Sequence, residues 1–107
     1  MEQLNSVTLR GIIGNARIQN IGDTEMARFS VATDHAFKNR SGEAVIETTW
    51  HQITAWEGKA CDDLSSFQKG DQFHVTGRLR CRRYIDEAGI QQQRIDILAN
   101  SLERIEA

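Results

Sequence analysis

Apolar and polar positions alternate with a period of two over several short stretches of this chain, the pattern of strands rather than helices. Val7, Leu9, Gly11 and Ile13 share one face of a first strand over residues 7–14, and Gly11 and Gly14 mark a bend or bulge in it. Residues 17–21 extend it briefly before the turn signal Gly22-Asp23. A second strand, 27–33, turns Ala27, Phe29, Val31 and Thr33 inward and Arg28, Ser30 and Ala32 outward. Residues 34–44, with His35, Phe37, Lys38, Asn39 and Gly42, read as a protruding hairpin loop. Phe37 there is either an anchor tucked inward or an exposed platform.

The third strand, 48–56, breaks the rule that the largest apolar groups face in. Alternation puts Trp50, Gln52, Thr54 and Trp56 on one side and Thr49, His51, Ile53 and Ala55 on the other. Two indoles among polar neighbours are costly beside water unless they meet something flat. Beyond it, Ala60, Leu64 and Phe67 recur at helical spacing over 59–69, and Gly70 stands where a helix would end. Alternation resumes at Gln72: Phe73, Val75, Gly77, Leu79 and Cys81 point one way, and His74, Thr76, Arg78, Arg80, Arg82 and Tyr84 the other. A turn at 86–89 leads to a fifth strand, 92–99, with Ile95, Ile97 and Ala99 inward, and Leu102 and Ile105 close the pattern. Five short strands with one short helix between the third and fourth predict an all-β chain, a five-stranded OB-fold Greek-key barrel.

Composition narrows the class. A chain of 107 residues fits one domain, 1–107, with no repeat and no low-complexity segment. No apolar run approaches the roughly 20 residues of a membrane span, and no basic-then-apolar leader opens the chain, so a soluble cytoplasmic protein is expected. Cys61 and Cys81 belong to no metal-binding spacing and read as small buried or half-buried thiols. A net charge of −2 argues against indiscriminate attraction to nucleic acid, yet Arg78, Arg80, Arg82 and Arg83 crowd into six positions. Such a run fits a solvated face as well as a binding face. A metal-dependent nuclease would need converging ligands. Its candidates Asp34, His51 and His74 fail, because the two histidines fall on opposite sides of their strands' patterns and no second acid stands near. Neither catalytic residues nor a cofactor are predicted.

The segments 7–14, 29–33, 50–53, 69–71 and 75–80 resemble, in the same order, the bacterial single-stranded DNA-binding protein (SSB) family. The resemblance covers nearly the whole chain. It implies sequence-nonspecific binding of single-stranded DNA in replication, recombination and repair, with bases stacked on Phe37, Trp50, Trp56 and Tyr84. Phe37 and Tyr84 stand where the family often has tryptophan, and Glu57 brings a negative charge beside the path. The family's basic path is matched by Lys38, Lys59, Lys69, Arg80, Arg82 and Arg83, while Arg78 joins them by alternation alone. Family members form homotetramers whose first strands pair across a dimer, which implies an oligomer interface at Val7 and Leu9 on the 5–12 edge, with His51 at a subunit contact. A dimer, or a lone barrel with a capped edge, stays open. The family's acidic tip, which recruits replication and repair proteins, has no counterpart before Ala107. The alternative is therefore a tail-less primosomal adaptor in replication restart. The implied setting is the cytoplasm, in association with the nucleoid.

Overall fold

The computed structural model describes residues 1–58 and 67–105. Five strands, β1 (Val7–Ile21), β2 (Thr24–Lys38), β3 (Ala44–Trp56), β4 (Gln72–Ile85) and β5 (Gln91–Ile105), close into a barrel in the order β1-β2-β3-β5-β4. That order is the Greek-key OB-fold. Closure depends on β1 serving two partners. Its first half, Val7 to Ile12, pairs antiparallel with β4, and its second, Ile12 to Ile21, pairs with β2. Gly11 stands where the strand changes partner, and a Cβ there would strike the Ala32 carbonyl. The expected irregularity follows between Ile13 and Ala16. Asn5 carries the β1–β4 ladder one step further: its Nδ2 donates to the Leu79 carbonyl at 2.6 Å, and its Oδ1 accepts from the Leu79 amide at 2.9 Å.

The inward positions form the core: Ile13, Ala27, Phe29, Val31, Ile53, Ala55, Phe73, Val75, Ile97 and Ala99. Phe67 packs edge-on between Phe29, at 5.1 Å, and Phe73, at 4.8 Å. Such pairs are worth about 0.5–1.5 kcal/mol each beyond their burial. A bulge at the pairing of Thr76 and Gly77 with β5 skips Asn100, so Ala99 and Leu102, three apart, both turn to the core. Gly77 is required there, because a Cβ would run into the Leu98 carbonyl and the Ala99 backbone.

Three expectations need correction. Residues 34–44 are mostly not loop: β2 and β3 pair without a break from Met26↔Trp56 to Lys38↔Ala44, and only 39–43 turn. The arm does protrude, as its exposure shows, but it is a regular ladder. Asp34 accepts from Thr48 Oγ1 at 2.7 Å, and the Asn39 side chain caps the tip by accepting from the Ser41 and Glu43 amides. Leu79, Cys81 and Ile95 follow the inward parity yet lie exposed, because the β4–β5 hairpin outruns the barrel and no described residue covers that face. Cys61 lies outside the described residues. Thr54, placed by alternation on the outward face, is only 2 % exposed. The helix expected over 59–69 falls outside the described residues except for Phe67, Gln68 and Lys69, which are not helical. Among the described residues no helix is long and apolar enough to cross a membrane.

Candidate nucleic-acid interface

The β3 tryptophans do face out. Trp50 is 56 % exposed and Trp56 37 %, with Phe37 at 39 % and Tyr84 at 51 %. Trp50 reaches over β1 because Gly14 has no side chain; a Cβ there would come within 2.7 Å of the indole. Across the ladder Trp50 opposes Ala32, Gln52 opposes Ser30 and Thr54 opposes Arg28. The indole thus heads a row whose next members carry hydrogen-bonding groups.

Hollows on this face join end to end. One of about 280 Å³ holds Trp50, Gly14 and Lys69. It shares Asn15, Ser30 and Gln52 with a larger one of about 480 Å³, whose far wall is Arg28 and Arg94. These two arginines also wall a third, of about 390 Å³, with Arg82, Arg83 and Tyr84. Arg83 continues into a fourth along Gln91, Gln92 and Gln93. A single groove therefore runs from one exposed aromatic to another. Lys69, Arg82 and Arg83 are brought onto it. Trp56, Arg78, Phe37 and Lys38 line none of these hollows; Phe37 sits out on the β2–β3 arm, stacked 6.0 Å from His35. Lys59 lies outside the described residues. Glu57 is tied down, its Oε1 accepting from the Glu25 amide at 2.8 Å.

Arg80 is engaged within the protein. Its Nε donates to Asp96 Oδ1 at 2.7 Å and its Nη2 to Asp96 Oδ2 at 3.1 Å, while Thr54 Oγ1 donates to the same Oδ2 at 2.7 Å. Asp96 is 2 % exposed. Burial alone would push its carboxyl up; the bonds from Arg80 and Thr54 and the charges of Arg80 and Arg82 outweigh that and hold it below the ordinary carboxylate value. Arg28, by contrast, has its pKa lowered, first by burial and then by repulsion from Arg94, Arg82 and Arg80, which the charge of Asp96 opposes. His51 is half-buried with Nε2 2.8 Å from Thr33 Oγ1, a satisfied contact.

Arg28, Arg94 and Asp96 were not singled out by sequence. Arg28 was legible as outward-facing, and the register of β2 against the tryptophan strand would have placed it beside Thr54. Arg94 and Asp96 carry no such signal, since what brings β5 beside β3 is a parallel contact of two residue pairs.

Barrel, groove and exposed aromatics define the OB-fold class that takes oligonucleotides or oligosaccharides. Comparison with known proteins narrows this. The model of the single-strand binding protein family matches residues 4–105. The chain belongs to that family. It is 33% identical, over 97% of its length, to single-stranded DNA-binding protein 1 of Chlorobaculum tepidum, and 32% identical, over 95%, to the single-stranded DNA-binding protein of Neisseria meningitidis. It covers 66% and 60% of those two relatives. Among solved structures it is similar to the Plasmodium falciparum SSB in complex with ssDNA, with a TM-score of 0.83 at 25% identity over 99% of this chain and 98% of that one.

The Asp96 cluster generates a stability prediction. Because the folded carboxyl titrates below its unfolded value of about 3.9, its contribution is complete above that pH and is lost as pH falls through the lower folded value. Asp96→Asn leaves Arg80 half-buried without its counter-charge and should cost about 3 kcal/mol at pH 7 in urea unfolding. The acid limb of its stability curve should also be flatter than that of the unsubstituted protein. Equal stability at pH 7 would show that the pair is not structural.

Proposed function

We propose that this protein binds single-stranded DNA without regard to sequence, by stacking unpaired bases on exposed aromatics while arginines and lysines neutralise the backbone. The carrying observation is the groove that runs from Trp50 past Arg28 and Arg94 to Tyr84, polar and basic between two aromatic ends. Stacking contributes about 1–3 kcal/mol per base and tolerates any base, and a duplex keeps its bases inside the helix. Lys69, Arg82 and Arg83 lie on this path, and Arg78, Lys38 and Lys59 complete the basic set. Trp56 and Phe37 offer further platforms, the latter to a strand that wraps the β2–β3 arm. Arg80 acts from within, through Asp96. Family membership supports the reading, as does the DNA-bound relative. The setting it implies is cytoplasmic DNA opened during replication, recombination or repair, in association with the nucleoid.

Titrating the tryptophan fluorescence with an oligothymidylate and with a matched duplex tests this. Strong quenching by the single strand and little by the duplex is expected. With four to six phosphates neutralised, log K should fall against log salt with a slope of about −3 to −4. Alanine at Trp50 or at Tyr84 should weaken binding of a labelled strand by about fivefold to 150-fold, the equivalent of one lost stack. No quenching by either nucleic acid would sink the proposal and favour a protein-facing role for the indoles, as in an adaptor.

We also propose a homo-oligomer assembled through β1. Val7 to Arg10 are paired only to β4 among the described residues, so the other edge of this stretch is free to accept a second copy. Val7 and Leu9 are half-buried beside it, as is His51 on β3. Sedimentation equilibrium should return two or four times the chain mass of 12.1 kDa. A monomer at micromolar concentration would contradict this.

A further inference from the structure

The outer face of β2, β3, β5 and β4 holds, around Arg28, more positive charge than the fold neutralises. Arg28, Arg80, Arg82 and Arg94 surround one buried carboxylate, Asp96. Arg80 takes both of its oxygens, and Thr54 shares one. Arg28, Arg82 and Arg94 are left facing one another across a hollow of about 390 Å³. Arg28 Nε is buried and has no hydrogen-bond partner among the described residues. An unsatisfied buried donor costs about 1–3 kcal/mol, more when charged, and native structures rarely keep one without a reason. Like charges gathered around it add to that cost. A bound anion in the hollow would offset the crowded positive charge.

We propose that Arg28, Arg82 and Arg94 form a clamp for one backbone phosphate of the bound strand. Arg28 and Arg94 line both the 480 Å³ and the 390 Å³ hollows, so a strand running from Trp50 to Tyr84 passes beside them. Asp96 is the positioning residue. By absorbing Arg80 it ties the floor of the clamp to β4 and β3 while leaving the other three guanidiniums free for the ligand. Their planar forks match phosphate oxygens two at a time. This inference rests on the single-strand reading, and it gives the middle of the groove a job distinct from stacking: fixing the backbone's register between aromatic platforms.

The test compares the salt dependence of oligothymidylate binding for the unsubstituted protein, the double variant Arg28→Gln with Arg94→Gln, and Arg28→Lys. Loss of one phosphate contact should reduce the magnitude of the double variant's slope by about 0.7, roughly a fivefold change in relative affinity per tenfold change in salt. Quenching at saturation should be unchanged, because the stacked bases remain. Arg28→Lys keeps the charge and should keep the slope. A double variant that binds with the unsubstituted slope overturns the clamp while leaving single-strand binding intact. If the unsubstituted protein binds no single strand, the parent reading fails and the clamp falls with it. Urea unfolding checks the fold of each variant. Should the double variant not fold, Arg94→Gln alone decides the matter: a reduced slope supports the clamp and an unchanged slope rejects it.

Discussion

The carboxylate of Asp96 laces three strands together at the weakest seam of the barrel. β3 and β5 meet through only two parallel pairs, Ile53↔Ile97 and Thr54↔Leu98, so the backbone ladder contributes little to closure there. Asp96 on β5 takes one hydrogen bond across the seam, from Thr54 on β3, and another from Arg80 on β4, its neighbour on the other side. Beneath it Ile53 and Ile97 complete the core. The same lacing shapes the outer face. It pulls Thr54 out of water in the middle of the tryptophan row, leaving Trp50 on one side and the arginines on the other.

This arrangement separates two kinds of attraction that a single-strand binder needs. Stacking is short-ranged and indifferent to base identity, and it is supplied by rings whose place the backbone fixes; Gly14 is the clearest case, since its missing side chain leaves the room that the Trp50 indole occupies. Charge attraction is longer-ranged and salt-sensitive, and it comes from arginines concentrated at one corner of a chain that is acidic as a whole, with a net charge of −2. Net negative charge elsewhere discourages indiscriminate contact with duplex DNA.

Much of this was legible in the sequence, for a physical reason. Burial in a small barrel forces a period of two, so Ala27, Phe29 and Val31, or Phe73 and Val75, announce their strands, and outward indoles at Trp50 and Trp56 stand out against that rule. Alternation fails where the strand leaves the barrel. Leu79, Cys81 and Ile95 have inward parity but project beyond the core, and the β2–β3 arm, exposed on both faces, looks like a loop until its cross-strand partners are known. Pairing across the seam is equally silent. Nothing local to Asp96 says that Thr54 and Arg80 will reach it, so the paired state of Arg80 and the cluster around Arg28 and Arg94 emerge only from the closed structure.

The central claim, that a single strand lies along the groove between Trp50 and Tyr84, is tested most directly by ultraviolet crosslinking of an oligothymidylate followed by mass mapping of the labelled peptides. Adducts at Trp50 and at Tyr84, suppressed by excess unlabelled single strand but not by duplex, are the predicted result. Adducts absent from both, or confined to the Leu79 and Ile95 face of the β4–β5 hairpin, would contradict it.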